Sequence, residues 1–442
     1  MTIQTTTLPN GFRIIYEHPK TKNPLTSFQV FCDVGSIHEP DHIRGACHFI
    51  EHMCFKGTKA VPKSKDIYYV YDNVGAYFNA STTKRYTNYM VKCQDLYVKN
   101  CLGILSDMML HSIFQKSEFE KEEQVVIEEN IKNADEPEDT LEEMTDRLLY
   151  SNTPFQYSVD TLAYHHRRFP YSDILAFYRE HYQPSHMILS IVTNLPFSTI
   201  VKWVKQTAFG KDRDLPTVSA RPMPFPPIEP VTTIQYNCKE KPELKSIHLT
   251  IAFQTCNQYS ADKYILNFLR NVLSGSLSSR LFTILRDKNG LTYRSSISTS
   301  YFEVGGEFTI YTQMDSSKLI KNGTKGAGVL PLIVQILNDI IKHGITAEEL
   351  SMFQSNLRGK MILDQEYLDT QVEYNGTESL YKEPADIIPY SELYDTYYQS
   401  IDLKKIHDCI RTYFKKERMV VCMIGGKLPS LKSIQAICDT IV

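Results

Sequence analysis

The sequence predicts an α+β protein of two homologous domains, each a mostly antiparallel sheet with helices packed on one face. Three observations carry this. At 442 residues the chain exceeds one ordinary domain. Residues 211–230 contain six prolines, at 216, 222, 224, 226, 227 and 230, a density that resists helix and central strand and favours extended chain. The sequence on either side repeats one order of elements. The chain therefore divides into residues 1–210, a Pro-rich linker at 211–232, and residues 233–442.

The first half opens with a short strand at 12–16 and a longer one at 27–35. A helical stretch follows, then strands near 77–92. Residues 118–130 read as a helix, with strong helix formers, early acidic residues and no breaker before Pro137. A short apolar strand at 187–192 closes the half. The second half begins again with a strand at 246–253, passes through helix and strands near 293–312, and closes on another apolar strand at 419–424. Period-two strands beside long helices are the pattern of α+β units. The shared order points to a duplication.

Bulk properties exclude several functions. Hydrophobic content of 42% and charged content of 22% are those of a soluble globular protein. A net charge of -3 gives no basis for a nucleic-acid or membrane-surface partner. No apolar run approaches the ~20 residues of a transmembrane helix, and residues 1–7 lack the pattern of a signal peptide. The ten cysteines are scattered without C-x-x-C spacing, which reads as thiols of a reducing compartment. The expected location is the cytoplasm or another reducing intracellular compartment.

The chemistry concentrates in His48-Phe49-Ile50-Glu51-His52. On a helix these two imidazoles and the carboxylate lie within an arc of ~100°. Such a pair can hold zinc, and Glu51 can take a proton from water that the metal acidifies. The order H-x-x-E-H inverts the H-E-x-x-H metalloprotease motif. Cys47 and Cys54 flank it and read as packing residues. A catalytic zinc normally has a third protein ligand. In the 118–130 helix, Val125 and Val126 should mark the buried face. Glu129 then falls between them, one turn on, and Glu122 lies two turns earlier on that stripe. Geometry thus prefers Glu129 as ligand and Glu122 as a carboxylate behind a ligand. Glu118, Glu120 and Glu123 read as solvated. Residues 266–271, at the comparable place in the second half, cannot bind zinc.

The stretch Arg44-Gly45-Ala46-Cys47-His48-Phe49-Ile50-Glu51-His52-Met53-Cys54-Phe55-Lys56-Gly57-Thr58 resembles the signature of the inverzincin metallopeptidases. These are the pitrilysin/insulysin family, with the mitochondrial processing peptidases and short bacterial relatives. In that family the third ligand follows the second His after seventy-six intervening residues, which falls on Glu129, and a glutamate seven residues earlier falls on Glu122. The resemblance covers nearly the whole chain. It implies one zinc ion per chain held by His48, His52 and Glu129, with Glu51 as general base and Glu122 in support. Residues 75–82 resemble the edge strand on which a peptide adds as an extra strand, with Phe78, Asn79 and Ala80 as substrate contacts. Residues 278–293 resemble the substrate-clamping segment, in which Arg286 holds a carbonyl oxygen and Tyr293 donates to the oxyanion.

The resemblance also implies an architecture, in which a two-domain chain is half of a clamshell. Pairing as a homodimer would set each metal site against an Arg286–Tyr293 pair and admit peptides or unfolded segments; the alternative is a heterodimer with an inactive homologous subunit. Two other functions compete: a non-catalytic core or assembly subunit, and a peptide-binding module that keeps the fold. The acidic run at 135–143 reads as a solvated loop, ahead of a site for basic peptides.

Overall fold

The computed structural model describes residues 3–159, 168–211, 225, 227–321, 323 and 326–442. Most of the expected Pro-rich linker, 212–224 and 226, lies outside the described residues.

The first half forms β1 (Gln4–Thr7), β2 (Arg13–Glu17), β3 (Leu25–Cys32), α1 (Ala46–Cys54), α2 (Ser64–Asp72), β4 (Tyr77–Thr82) and β5 (Thr87–Gln94). It continues through α3 (Val98–His111), α4 (Lys116–Asp135), α5 (Pro137–Leu149), α6 (Tyr171–His181), β6 (Met187–Val192) and α7 (Phe197–Gln206). The second half forms β7 (Gln235–Glu240), β8 (Ser246–Thr255), α8 (Asp262–Ser274), β9 (Thr292–Tyr301), β10 (Gly306–Asp315) and α9 (Val329–His343). Then come α10 (Ala347–Asp364), α11 (Leu368–Glu378), α12 (Leu403–Tyr413), β11 (Met419–Gly425) and α13 (Leu431–Cys438). The order is the α+β order read from the sequence; β1 is an added strand ahead of the expected first one.

The strands form a six-stranded sheet, β1-β2-β6-β3-β5-β4, and a five-stranded sheet, β7-β11-β8-β10-β9. Each has one parallel pair, β2 with β6 and β7 with β11; the other pairs are antiparallel. Dropping β1, the two sheets have one topology, as a duplication requires. β6 and β11 are buried throughout, which is why they read as continuous apolar runs rather than alternating ones.

The main helical layer of the first sheet packs on Phe28, Val30, Tyr89, Val91, Leu189 and Ile191. The opposite face carries α11, from the other half of the chain. Leu368 and Val372 meet Val192 there, and Phe31, Ile15 and Ile188 cluster with Ile387. A Cβ at Gly376 would stand 1.9 Å from Phe31 Cε2, so glycine sets how near α11 comes to β3. The second sheet is treated reciprocally. Helix α5, from the first half, packs Leu141 and Met144 against Cys422 and Ile424. The compact units therefore cross the halves: the first gains residues 361–393 and gives up 133–156 to the second. The acidic run expected as a loop is largely α5. Pro137 opens that helix, Glu138 and Asp139 favour its N-terminus, and Leu141, Met144 and Leu149 supply a buried face.

Two predictions follow from this packing. Gly376→Ala is expected to cost ~1–3 kcal/mol in thermal unfolding through overpacking against Phe31. Gly359→Ala, with nothing within 4 Å of its added Cβ, should be neutral or slightly stabilising. Acid stability is set in part by two histidines. Desolvation lowers His38 to about 3 and His181 to about 4, while the unfolded chain protonates near ~6.5. Both are neutral in the folded state, so their contribution is full above ~6.5 and is lost as pH falls towards their folded values. His38→Asn keeps an acceptor for the Gly35 N–H, now 3.0 Å from His38 Nδ1. It should flatten the fall of melting temperature between pH 6.5 and 4.

Candidate metal centre

Helix α1 is nine residues long, too short to hold itself together in water. Its N-terminus is fixed from outside: the carboxylate of Glu39, 4% exposed, accepts the backbone N–H groups of Gly45 and Cys47, each at 2.7 Å. These are donors that a helix start leaves without intrahelical partners. Burial pushes the Glu39 carboxyl up to about 7 against the pull of those two donors. Ala46, Cys47, Phe49, Ile50, Met53 and Cys54 bury the inner face of α1. His48 and His52 stand on the other side.

The two imidazole Nε2 atoms are 3.1 Å apart. Glu129 Oε2, from α4, is 3.6 Å from His52 Nε2. The ligand atoms of His48, His52 and Glu129 all lie within 4.8 Å of one another. Two imidazoles and one carboxylate converging on a point are the donor set of a catalytic zinc site with its fourth position open. The residues present therefore fit the metal that the sequence implies.

Behind the ligands, His52 Nδ1 is 2.8 Å from Glu122 Oε1, and Lys56 Nζ is 2.6 Å from Glu122 Oε2. A proton on Nδ1, donated to Glu122, leaves the Nε2 lone pair directed at the metal position. Burial alone would raise the Glu122 carboxyl; His52 and Lys56 outweigh it and hold the group below its ordinary value. Glu51 is 8% exposed, and its Oε2 accepts the Thr82 hydroxyl at 2.6 Å. Burial raises the Glu51 carboxyl, opposed by Thr82, His48 and His52.

Helix α4 buries a different stripe from the one expected. Phe119, Glu122, Glu123, Val126 and Asn130 are inside, whereas Val125 is 47% exposed. Glu123, expected in solvent, is 2% exposed and accepts the Phe169 N–H at 2.5 Å. The seven-residue spacing from Phe119 to Val126 was the signal for that face. Glu129 sits at its rim, which suits a ligand. Glu39, Lys56 and Thr82 were missed; only the place of Lys56 four residues past His52 carried a hint.

β4 is the outer strand of its sheet. Phe78, Ala80 and Thr82 turn inward, and Tyr77, Asn79 and Ser81 are exposed. Phe78 stacks on Tyr71 at 4.4 Å between centroids. Of the expected substrate contacts, Asn79 presents its side chain, while Phe78 and Ala80 can offer chiefly main chain. In the second unit, Arg286 lies on a π-helical turn, Phe282–Lys288, and Tyr293 on β9 is 85% exposed. The Arg286 guanidinium is 4.9 Å from the Tyr293 ring centre. Both line a cavity of about 380 Å³ with Ser274, Gly275 and Ser276.

Comparison with known proteins matches both halves of the chain to family models. The family model for insulinase (peptidase family M16) matches residues 13–161. The model described as the peptidase M16 inactive domain matches residues 168–357. The uncharacterized zinc protease YmxG of Bacillus subtilis is 29% identical over 444 residues, 97% of this chain and 100% of that protein. A solved protease from Helicobacter pylori shares the fold with a TM-score of 0.87 and 20% identity, over 96% of this chain and 99% of its own. The periplasmic protease PqqL of Escherichia coli gives a TM-score of 0.75 at 17% identity, over 99% of this chain but 50% of that one. Among the described residues no single helix is long and apolar enough to cross a membrane.

Glu122→Gln is expected to weaken zinc retention by ~10–100-fold in chelator competition, the usual cost of losing a carboxylate behind a ligand. Glu123→Gln should lower thermal stability and leave zinc retention unchanged.

Proposed function

The chain belongs to peptidase family M16, and from that premise we propose that it is a zinc-dependent endopeptidase acting on peptides or unfolded protein segments. The observation that carries this is the convergence of His48, His52 and Glu129 on one point with Glu51 beside them on α1. Zinc held there supplies a Lewis acid that polarises a carbonyl and acidifies water.

The remaining work falls to the chain's own groups. Glu51 takes a proton from the attacking water and hands it to the leaving amine. Its Oε2 accepts the Thr82 hydroxyl, so the carboxylate that carries the proton is held from one side. Glu122 and Lys56 keep His52 in one tautomer and orientation. The outer edge of β4 receives the peptide as an added strand through main-chain hydrogen bonds, which accept varied sequences. Arg286 and Tyr293 donate to the carbonyl oxygen and the developing oxyanion.

The metal ligands and the Arg286–Tyr293 pair belong to different compact units. We place the pair opposite the metal centre of a second copy, in a homodimer that encloses the substrate; a heterodimer with an inactive homologous subunit would serve the same end. The structurally similar E. coli chain, of which this one covers half, supports pairing. A reducing intracellular location suits ten cysteines that form no disulfide, nine of them buried. A second reading, an assembly or peptide-binding subunit, is favoured by the inactive-domain match over 168–357. The ligands, however, lie in the part matched by the insulinase model.

Cleavage of an unstructured peptide pool, read by mass spectrometry, separates the two. Zinc-loaded wild type should cleave. Glu51→Gln should retain zinc and lose ~10²-fold or more in rate. Equal rates would remove Glu51 from its role, and zinc binding without cleavage by either protein would favour the second reading.

A further inference from the structure

We propose that Thr82 is a positioning residue for the reaction: it ties the strand that receives the peptide to the carboxylate that acts as base. The inference rests on the peptidase function proposed above. Thr82 is the last residue of β4. The inward side chains before it, Phe78 and Ala80, are apolar and pack against the core. Thr82 faces the same way but carries a hydroxyl, and that hydroxyl donates to Glu51 Oε2 at 2.6 Å. One strand thus offers a peptide its backbone edge and offers the base a donor.

Glu51 needs such a partner. A glutamate has several rotatable bonds, and a base must stand at one place to act on one water. Threonine suits the task because its branched Cβ stiffens χ1. Its backbone is also well held. Thr82 pairs with Thr87 across the β4–β5 hairpin. In the turn, the Thr83 N–H donates to Tyr86 O at 2.8 Å, and the Thr83 hydroxyl accepts from Tyr86 N at 3.0 Å. The segment before α1 clamps that turn: Ser36 N–H donates to Thr83 O at 3.1 Å and Ile37 N–H to Lys84 O at 3.0 Å. The approach is close enough that a Cβ on Gly35 would meet Thr83 O and Lys84 O at 2.5 Å. The hydroxyl therefore sits on a fixed support, and a peptide laid along β4 is registered against the same support.

A hydroxyl that merely satisfied a buried carboxylate would affect stability alone. A positioning hydroxyl affects turnover. Wild type, Thr82→Val and Thr82→Ser, all zinc-loaded, are compared for kcat and KM on one peptide, for zinc content, and for the Glu51 rotamer in crystal structures. Thr82→Val should lose at least about tenfold in kcat, the scale of one hydrogen bond to a charged group. Its KM should stay within about twofold and its zinc content should be unchanged. Thr82→Ser, which restores the donor, should recover most of the rate. Glu51 should hold one rotamer in wild type and Thr82→Ser, and rotate or split in Thr82→Val. Full kcat in Thr82→Val, a Thr82→Ser enzyme as slow as Thr82→Val, or an unmoved Glu51 in Thr82→Val would overturn the proposal. Wild type that binds zinc and fails to cleave would instead overturn the peptidase function, and the rotamers would then decide the role of Thr82.

Discussion

Everything in the candidate metal centre depends on where one short helix stands. His48, Glu51 and His52 are a rigid set, because α1 fixes their spacing. A helix of nine residues has no independent claim to its position; the fold must supply it. Glu39 does so at the N-terminus through the N–H groups of Gly45 and Cys47, and the buried inner face does so along the helix. Once α1 is placed, α4 is joined to it through Glu122, which takes His52 on one oxygen and Lys56 on the other. Glu129, two turns further along α4, then arrives beside His52. Oriented ligands with a supporting carboxylate hold a metal more tightly than the same ligands left mobile.

The two sheets show how one frame came to carry separate chemistry. Strands β2-β6-β3-β5-β4 and β7-β11-β8-β10-β9 have the same order and the same single parallel pair. After β3 comes α1 with His48 and His52; after β8 comes α8, with Leu266, Phe268 and Leu269 in the core instead. The outer strands correspond as well. β4 ends in Thr82 beside Glu51, and β9 begins with Thr292 and Tyr293, the latter beside Arg286. Each half also lends the other unit a helix, α5 in one direction and α11 in the other. A sheet with one bare apolar face would expose it to water, and the lent helix covers it.

Much of the site was legible because it is written locally. The H-x-x-E-H spacing is a helical spacing, so the placing of His48, Glu51 and His52 side by side follows once a helix is assumed. Glu122 and Glu129 were reached through helical period and family spacing together. The stripe of α4 was drawn one position off: Val125 and Val126 are adjacent, and apolar character alone does not say which faces in. The burial of Glu123 turned on an acceptor needed by Phe169 N–H, forty-six residues away. The acidic run at 135–143 read as a loop because its charge hid Leu141, Met144 and Leu149, which recur at helical spacing.

By itself the sequence determined the class of fold, the order of its elements and the duplicated pattern, and it singled out His48, His52 and Glu129, whose side chains meet in the structure. The elements and the His48–His52 pair rest on periodicity and spacing over a few turns of chain, which a linear sequence records directly, whereas Glu129 was reached through helical period and family spacing together. Only the tertiary structure decided that α5 and α11 change units, that Glu39 caps α1, that Lys56 closes on Glu122, and that Thr82 holds Glu51. Each of these joins groups whose meeting depends on how whole elements pack. Thr82 and Glu51, thirty-one residues apart, share no local period; a hydrogen bond between them exists because an edge strand and a helix were brought side by side.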